Sequence, residues 1–228
     1  MDEALKQWFS NRFQDLFQSQ IKHYRTSVVD RLLSTFSQLE READEFERRE
    51  TERMEKLVDP EMEFGDFVEI IHARTIDYYI SVSGIRQVLV NLLTVGLFHL
   101  FEQQVTQFVD AFPHKSDGDK RLFVRLGKIL EDQKCKSEDL PHWELLTEEL
   151  RRVANTVKHG PGDSANKLAA RKPELFLPKH MADGTFDVQG NYATSPIAEE
   201  GIFVTLDDFT KYAAAIVELW DAFSCLKR

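Results

Sequence analysis

Residues 2–46 read DEALKQWFSNRFQDLFQSQIKHYRTSVVDRLLSTFSQLEREADEF, and the fold turns on how this stretch is read. Apolar side chains recur at Leu5, Phe9, Phe13, Leu16, Phe17, Ile21, Tyr24, Val28, Leu32, Phe36, Leu39, Ala43 and Phe46. Most steps are three or four residues, which is helical spacing. No Gly occurs before Gly65 and no Pro before Pro60, so nothing interrupts the pattern. Residues 2–57 therefore form one long helix or two nearly collinear ones, roughly 80 Å if continuous at 1.5 Å per residue. Past Phe46 the pattern thins into Glu47-Arg48-Arg49-Glu50-Thr51-Glu52-Arg53, a solvated helical face with ion pairs one turn apart.

Asp59-Pro60 closes this segment, because proline disfavours helix in the residue before it. A second long helix is expected from about Asp66 to Ala111, with a kink at Ser81-Val82-Ser83-Gly84 and a stop at Phe112-Pro113. Two such helices make an antiparallel hairpin over 1–112. A short helix follows from about Asp119 to Gln133, and another opens at Leu140-Pro141 and ends at His159, where Gly160-Pro161 stops it. Residues 161–204 read as an irregular insert. Within it Ser164 is placed to cap a short helix through Arg171, and Thr185–Val188 with Ile202–Val204 is placed to form a small β-hairpin. Thr205-Leu206-Asp207-Asp208 resembles a capping box. It opens a last helix with Phe209, Tyr212, Ala213, Ile216, Leu219, Trp220 and Phe223 on its buried face. The expected fold is all-α, one helical bundle of 228 residues.

Composition narrows the function classes. With 39 acidic against 29 basic side chains the formal charge is −10, unfavourable for general polyanion binding. Residues 151–180 run the other way, with seven Lys or Arg against Asp163 and Glu174, a local basic island of +5. Cys135 and Cys225 are too few and too distant for a disulfide framework or a zinc site. Met1–Lys6 has neither a basic nor an apolar leader pattern, and the apolar run Val88–Phe101 is short and interrupted by Asn91 and His99. A cytoplasmic location without membrane contact is expected. His99 and Glu102 are too few for a di-metal carboxylate site, so no metal and no cofactor are expected and a di-metal oxidoreductase is disfavoured.

The sharpest functional signal is Arg151-Arg152-Val153-Ala154-Asn155-Thr156-Val157-Lys158-His159-Gly160. At 100° per residue Arg152 and His159 fall within about 20° of each other, and Asn155 lies about 40° from His159. They stand opposite the apolar stripe of Leu146, Leu150, Val153 and Val157. Metal-free RNA cleavage needs groups to take and return protons and a cation at the phosphate. Imidazole and guanidinium suit those roles. One helix supplies one such His, so an acid–base pair would need a second copy across a twofold axis.

At these residues the chain resembles the HEPN superfamily, all-helical domains that include many toxin and defence ribonucleases. Their signature is Arg, four to six residues, then His near a helix end, and six residues separate Arg152 from His159. The resemblance implies Arg152 and His159 as the catalytic pair, with Asn155, Lys158 and Arg151 in support. It implies a metal-independent endoribonuclease with a composite site in a homodimer, RNA as substrate and a cognate antitoxin or partner protein. The position after the family's arginine is usually polar and here is Val153, with Asn155 on the right face to take its part. Many superfamily members are not catalytic.

A plainer account uses the same residues. Lys158 and His159 complement the negative end of the helix dipole, and Arg151 and Arg152 are spaced to pair with Glu148. The protein is then a non-catalytic helical scaffold that binds a protein partner or nucleotide, with Arg48, Arg49 and Arg53 on its working surface.

Overall fold

The computed structural model describes residues 3–56, 63–111, 121–132, 135–176 and 201–223, with side chains from residue 14 onward. Helix α1 spans Glu3–Thr26 and α2 spans Leu39–Met54. Between them the chain passes through a π-helical segment, Ser27–Leu32, and a 3₁₀ turn, Leu33–Phe36. The N-terminal segment is therefore two helices rather than one rod. Local chemistry explains the break. Ser34 Oγ donates to Arg31 O at 2.9 Å and Thr35 Oγ1 to Leu32 O at 2.6 Å, hydroxyl bonds that compete with the helical ladder.

Helix α3, Phe64–Ala111, runs without interruption through Ser81–Gly84. At the place of the expected kink the helix is unbroken, and Ser81 Oγ donates to Asp77 O at 2.8 Å. Its two halves do different work. The C-terminal half carries the core through Leu97, Phe98, Phe101, Val105 and Val109. The N-terminal half pairs mainly with α2 among the described residues, through stacked Phe46 and Tyr78 rings with centroids 4.5 Å apart and an Arg74–Glu50 bridge of 2.9 Å. These two helices form an arm whose outer face leaves Phe64, Val68, Ile76 and Ile80 exposed. By length and composition alone α3 is also apolar enough to cross a membrane. Within the charge run on α2, Arg48 and Glu52 form the expected exposed pair, whereas Arg53 meets a mostly covered Glu50; Arg41–Glu45 pairs upstream of the run.

Helix α4 covers Leu122–Asp132, α5 Arg151–His159, α6 Asp163–Arg171 and α7 Leu206–Ala222. The segment before α5 is not ordinary α-helix, since Leu145–Leu150 is π-helical. Leu146, Leu150, Val153 and Val157 are nevertheless all buried. Gly162 occupies the cap position of α6, and Ser164 lies inside the helix rather than capping it.

The bundle closes on α7, whose capping box forms as expected: Asp208 N donates to Thr205 Oγ1, and Thr205 N to Asp208 Oδ2, both at 3.0 Å. All seven expected core residues of this helix are buried. Trp220 packs on Phe17, ring centroids 4.9 Å apart, and its Nε1 donates to Gln104 Oε1 at 2.8 Å. Gln104 Nε2 in turn donates to Phe17 O at 3.1 Å. One buried amide thus joins α1, α3 and α7 with its polar groups satisfied.

No strand occurs among the described residues, and the expected β-hairpin does not form at Ile202–Val204; its other half, Thr185–Val188, lies outside them. The extended segment 202–205 is held by side chains instead. Asn91 Nδ2 donates to Ile202 O at 2.6 Å, Val204 N donates to Asn91 Oδ1 at 3.2 Å, and Gln87 Nε2 donates to Val204 O at 2.9 Å. Phe203 N donates to Leu175 O at 2.7 Å. Two amides on α3 stand in for a partner strand.

Candidate functional site

The motif occupies α5, a regular α-helix from Arg151 to His159. Arg152 and His159 therefore keep the angular relation expected of seven residues, separated by about 10 Å along the axis. The helix ends at Gly160, whose φ of 69° lies where a side chain would be strained and whose N–H closes on Thr156 O at 2.8 Å. Lys158 and His159 are exposed on the last turn, Asn155 is half-buried, and Val153 and Val157 anchor the opposite face in the core.

The arginines are committed. Arg152 Nη2 bonds Glu148 Oε2, with 20% of its side chain exposed. Arg151 reaches the same carboxylate at 3.3 Å and donates Nε–H to Thr147 O at 2.8 Å. The spacing of Glu148 to both was legible in sequence. Less legible were two further acids: Glu144 accepts from Arg171 at 2.8 Å, and Glu149 lies 3.9 Å from Lys172. Lys172 also meets Glu174 at 3.4 Å, and Lys167 meets Asp163 at 2.8 Å. The basic island is thus largely neutralised by a row of acids that begins seven residues upstream of it. Arg171's hydrogen bond holds the Glu144 carboxyl below the usual glutamate range.

Glu149 is 4% exposed and accepts from Tyr212 Oη at 3.0 Å. Burial first, then the charge of Glu149, pushes the Tyr212 phenol well above its ordinary value, so it stays a donor. This buried carboxylate ties the π-helical segment to α7 and to Lys172 beside α6. It is part of the frame under α5, and nothing in the motif signalled it.

In contrast to the arginines, Asn155, Lys158 and His159 take part in no side-chain hydrogen bond or ion pair among the described residues. Beneath them Thr156 Oγ1 is buried without a hydrogen-bond partner. The structure brings an imidazole, an amide and an ammonium, all uncommitted, to one helix end, with a guanidinium two turns back held by Glu148.

Two histidines elsewhere on the described chain make ordinary polar contacts. His99 sits on the surface 3.0 Å from Gln103, with Glu102 4.0 Å away. His142, at the left-handed turn before the π-helical segment, bonds Glu218 of α7 at 2.6 Å. Among the described residues no group of three His, Cys, Asp or Glu gathers as a metal site. Compared with family models, with curated proteins and with solved structures, the chain matches none of them.

Proposed function

We propose that the exposed end of α5 is the reaction centre of a HEPN-like, metal-independent endoribonuclease of the toxin or defence type, completed by a second copy. The observation that carries this reading is the uncommitted set of His159, Lys158 and Asn155 on the solvent side of a helix whose other side is locked in the core. An imidazole takes the proton of a ribose 2′-hydroxyl as its oxygen bonds to phosphorus. The imidazolium from the second copy protonates the departing 5′-oxygen as the P–O5′ bond breaks. Arg152 exchanges Glu148 for a phosphate oxygen in this scheme, Arg151 retains Glu148, and Lys158 and Asn155 hold the backbone of the RNA.

The test is incubation of the purified full chain with single-stranded RNA in the presence of a chelator. The expected products end in a 2′,3′-cyclic phosphate and a 5′-hydroxyl. His159→Ala is expected to lower the rate about 10²- to 10⁴-fold, the usual weight of a general acid–base group. Cleavage that survives His159→Ala, or that needs an added divalent ion, overturns the proposal.

A second reading is supported by the pairing of Arg152 with Glu148, which occupies the guanidinium assigned to the phosphate until that pair opens. On this reading the chain is a non-catalytic helical interaction protein. It predicts binding without turnover, sensitive to charge reversal at Arg48, Arg49 or Arg53 and indifferent to His159→Ala.

A further inference from the structure

We infer that two copies of this chain pair through the arm, α3 against α3 and antiparallel, about a twofold axis level with Asp77 and Tyr78. The inference is independent of the nuclease reading. Its starting point is that the N-terminal half of α3 buries only one side. Ile71, Arg74 and Tyr78 face α2, while Val68, Ile76, Tyr79 and Ile80 remain more than two-fifths exposed. At 100° per residue those four fall within about 120° of one another, at least about 60° away from the residues that meet α2. His72, also exposed, interrupts the strip between Val68 and Ile76, and in the antiparallel pairing it falls beside Ser83 of the other copy. An exposed apolar strip of this kind marks a contact.

Charge identifies the occupant. Glu69 and Arg86 lie within the same arc as the strip, near its two ends, both exposed and neither in an ion pair among the described residues. They are 17 residues apart, about 25 Å along the helix. A twofold axis midway between them sets Glu69 of each copy beside Arg86 of the other, and Ile76 beside Tyr79. A parallel arrangement would set Glu69 against Glu69 and Arg86 against Arg86, which is repulsive. The strip is thus complementary to itself in one orientation only, as an isologous interface requires. Each arm contributes two helices, so the contact is a four-helix unit with α3 at its centre.

Light scattering on the full chain tests this. The wild type is expected to run at twice the mass of Ile76→Glu, with the variant's helical content by circular dichroism unchanged, because Ile76 is exposed within one copy. If the same two copies also meet at α5, the variant stays dimeric and disulfide cross-linking decides whether the arm contact forms. Glu69→Arg is expected to weaken association about tenfold, and adding Arg86→Glu to restore it. In a Cys135→Ser/Cys225→Ser background, Glu69→Cys with Arg86→Cys should give a disulfide-linked dimer, and neither single change should. A monomeric wild type overturns the inference, as does a charge swap that fails to restore association or cross-linking of Glu69→Cys to itself. So does a monomer that co-sediments with phosphatidylcholine–phosphatidylserine vesicles, which would make the strip a lipid-facing surface.

Discussion

A methyl group placed at Gly96 would overlap Tyr24 Oη, which donates to Leu93 O at 2.8 Å. Here the glycine is needed for space, because it lets the α1 phenol seat against a carbonyl of α3. Gly96→Ala is expected to cost about 1–3 kcal/mol of unfolding free energy, the range for overpacking a filled site. Adding Tyr24→Phe should recover part of that loss, since the next ring atom stands 3.4 Å from the new carbon, an ordinary contact. Urea unfolding of the two single variants and the double variant measures the coupling. Thr156 makes the opposite case. Its hydroxyl is buried and unpartnered, so Thr156→Val keeps the shape and removes a desolvated polar atom. The variant should be at least as stable as wild type, by up to about 1 kcal/mol, and a calorimetric melting temperature below wild type would count against this.

At the scale of elements, the attachment of segment 202–205 to α3 rests on amides rather than on strand pairing. Asn91→Leu would leave Ile202 O and Val204 N without their partners, at about 1–3 kcal/mol for each group left unsatisfied. Faster amide exchange should appear first at Val204, while the exchange of α5 stays slow. The arm has its own polar latch. Hydrogen bonds from Arg53 and Arg74 hold the Glu50 carboxyl below its ordinary value of 4.5. A depressed carboxylate adds stability above its unfolded-state pKa and loses it as pH falls through the lower folded value. The melting-temperature difference between wild type and Arg74→Gln should therefore be present near neutral pH and vanish in acid. A difference that persists in acid would assign the role of Arg74 to packing of its stem instead.

For the whole molecule, the division between frame and site predicts how mutations partition. His159 is exposed and unbonded, so His159→Ala should leave stability within about 0.5 kcal/mol of wild type whatever it does to RNA. Glu149→Gln, beneath the same helix, should instead destabilise the fold, because Lys172 and Tyr212 lose a buried charged acceptor. Thermal melts of the two variants side by side check that contrast. Helical periodicity and its stop signals were enough to define the α-class, the long α3, the capping box at Thr205 and the buried stripe through Leu146, Leu150, Val153 and Val157. These follow from spacing along one helix, and a sequence records spacing directly. What the sequence left open needed partners distant along the chain. Glu144 neutralises Arg171 from 27 positions away, Asn91 captures a segment 111 residues on, and the hydroxyl bonds of Ser34 and Thr35 accompany a break that apolar spacing alone did not locate. Periodicity shows which face of a helix is apolar; only the packed chain decides which faces are covered, and that is why α5 has its arginines spent and its histidine free.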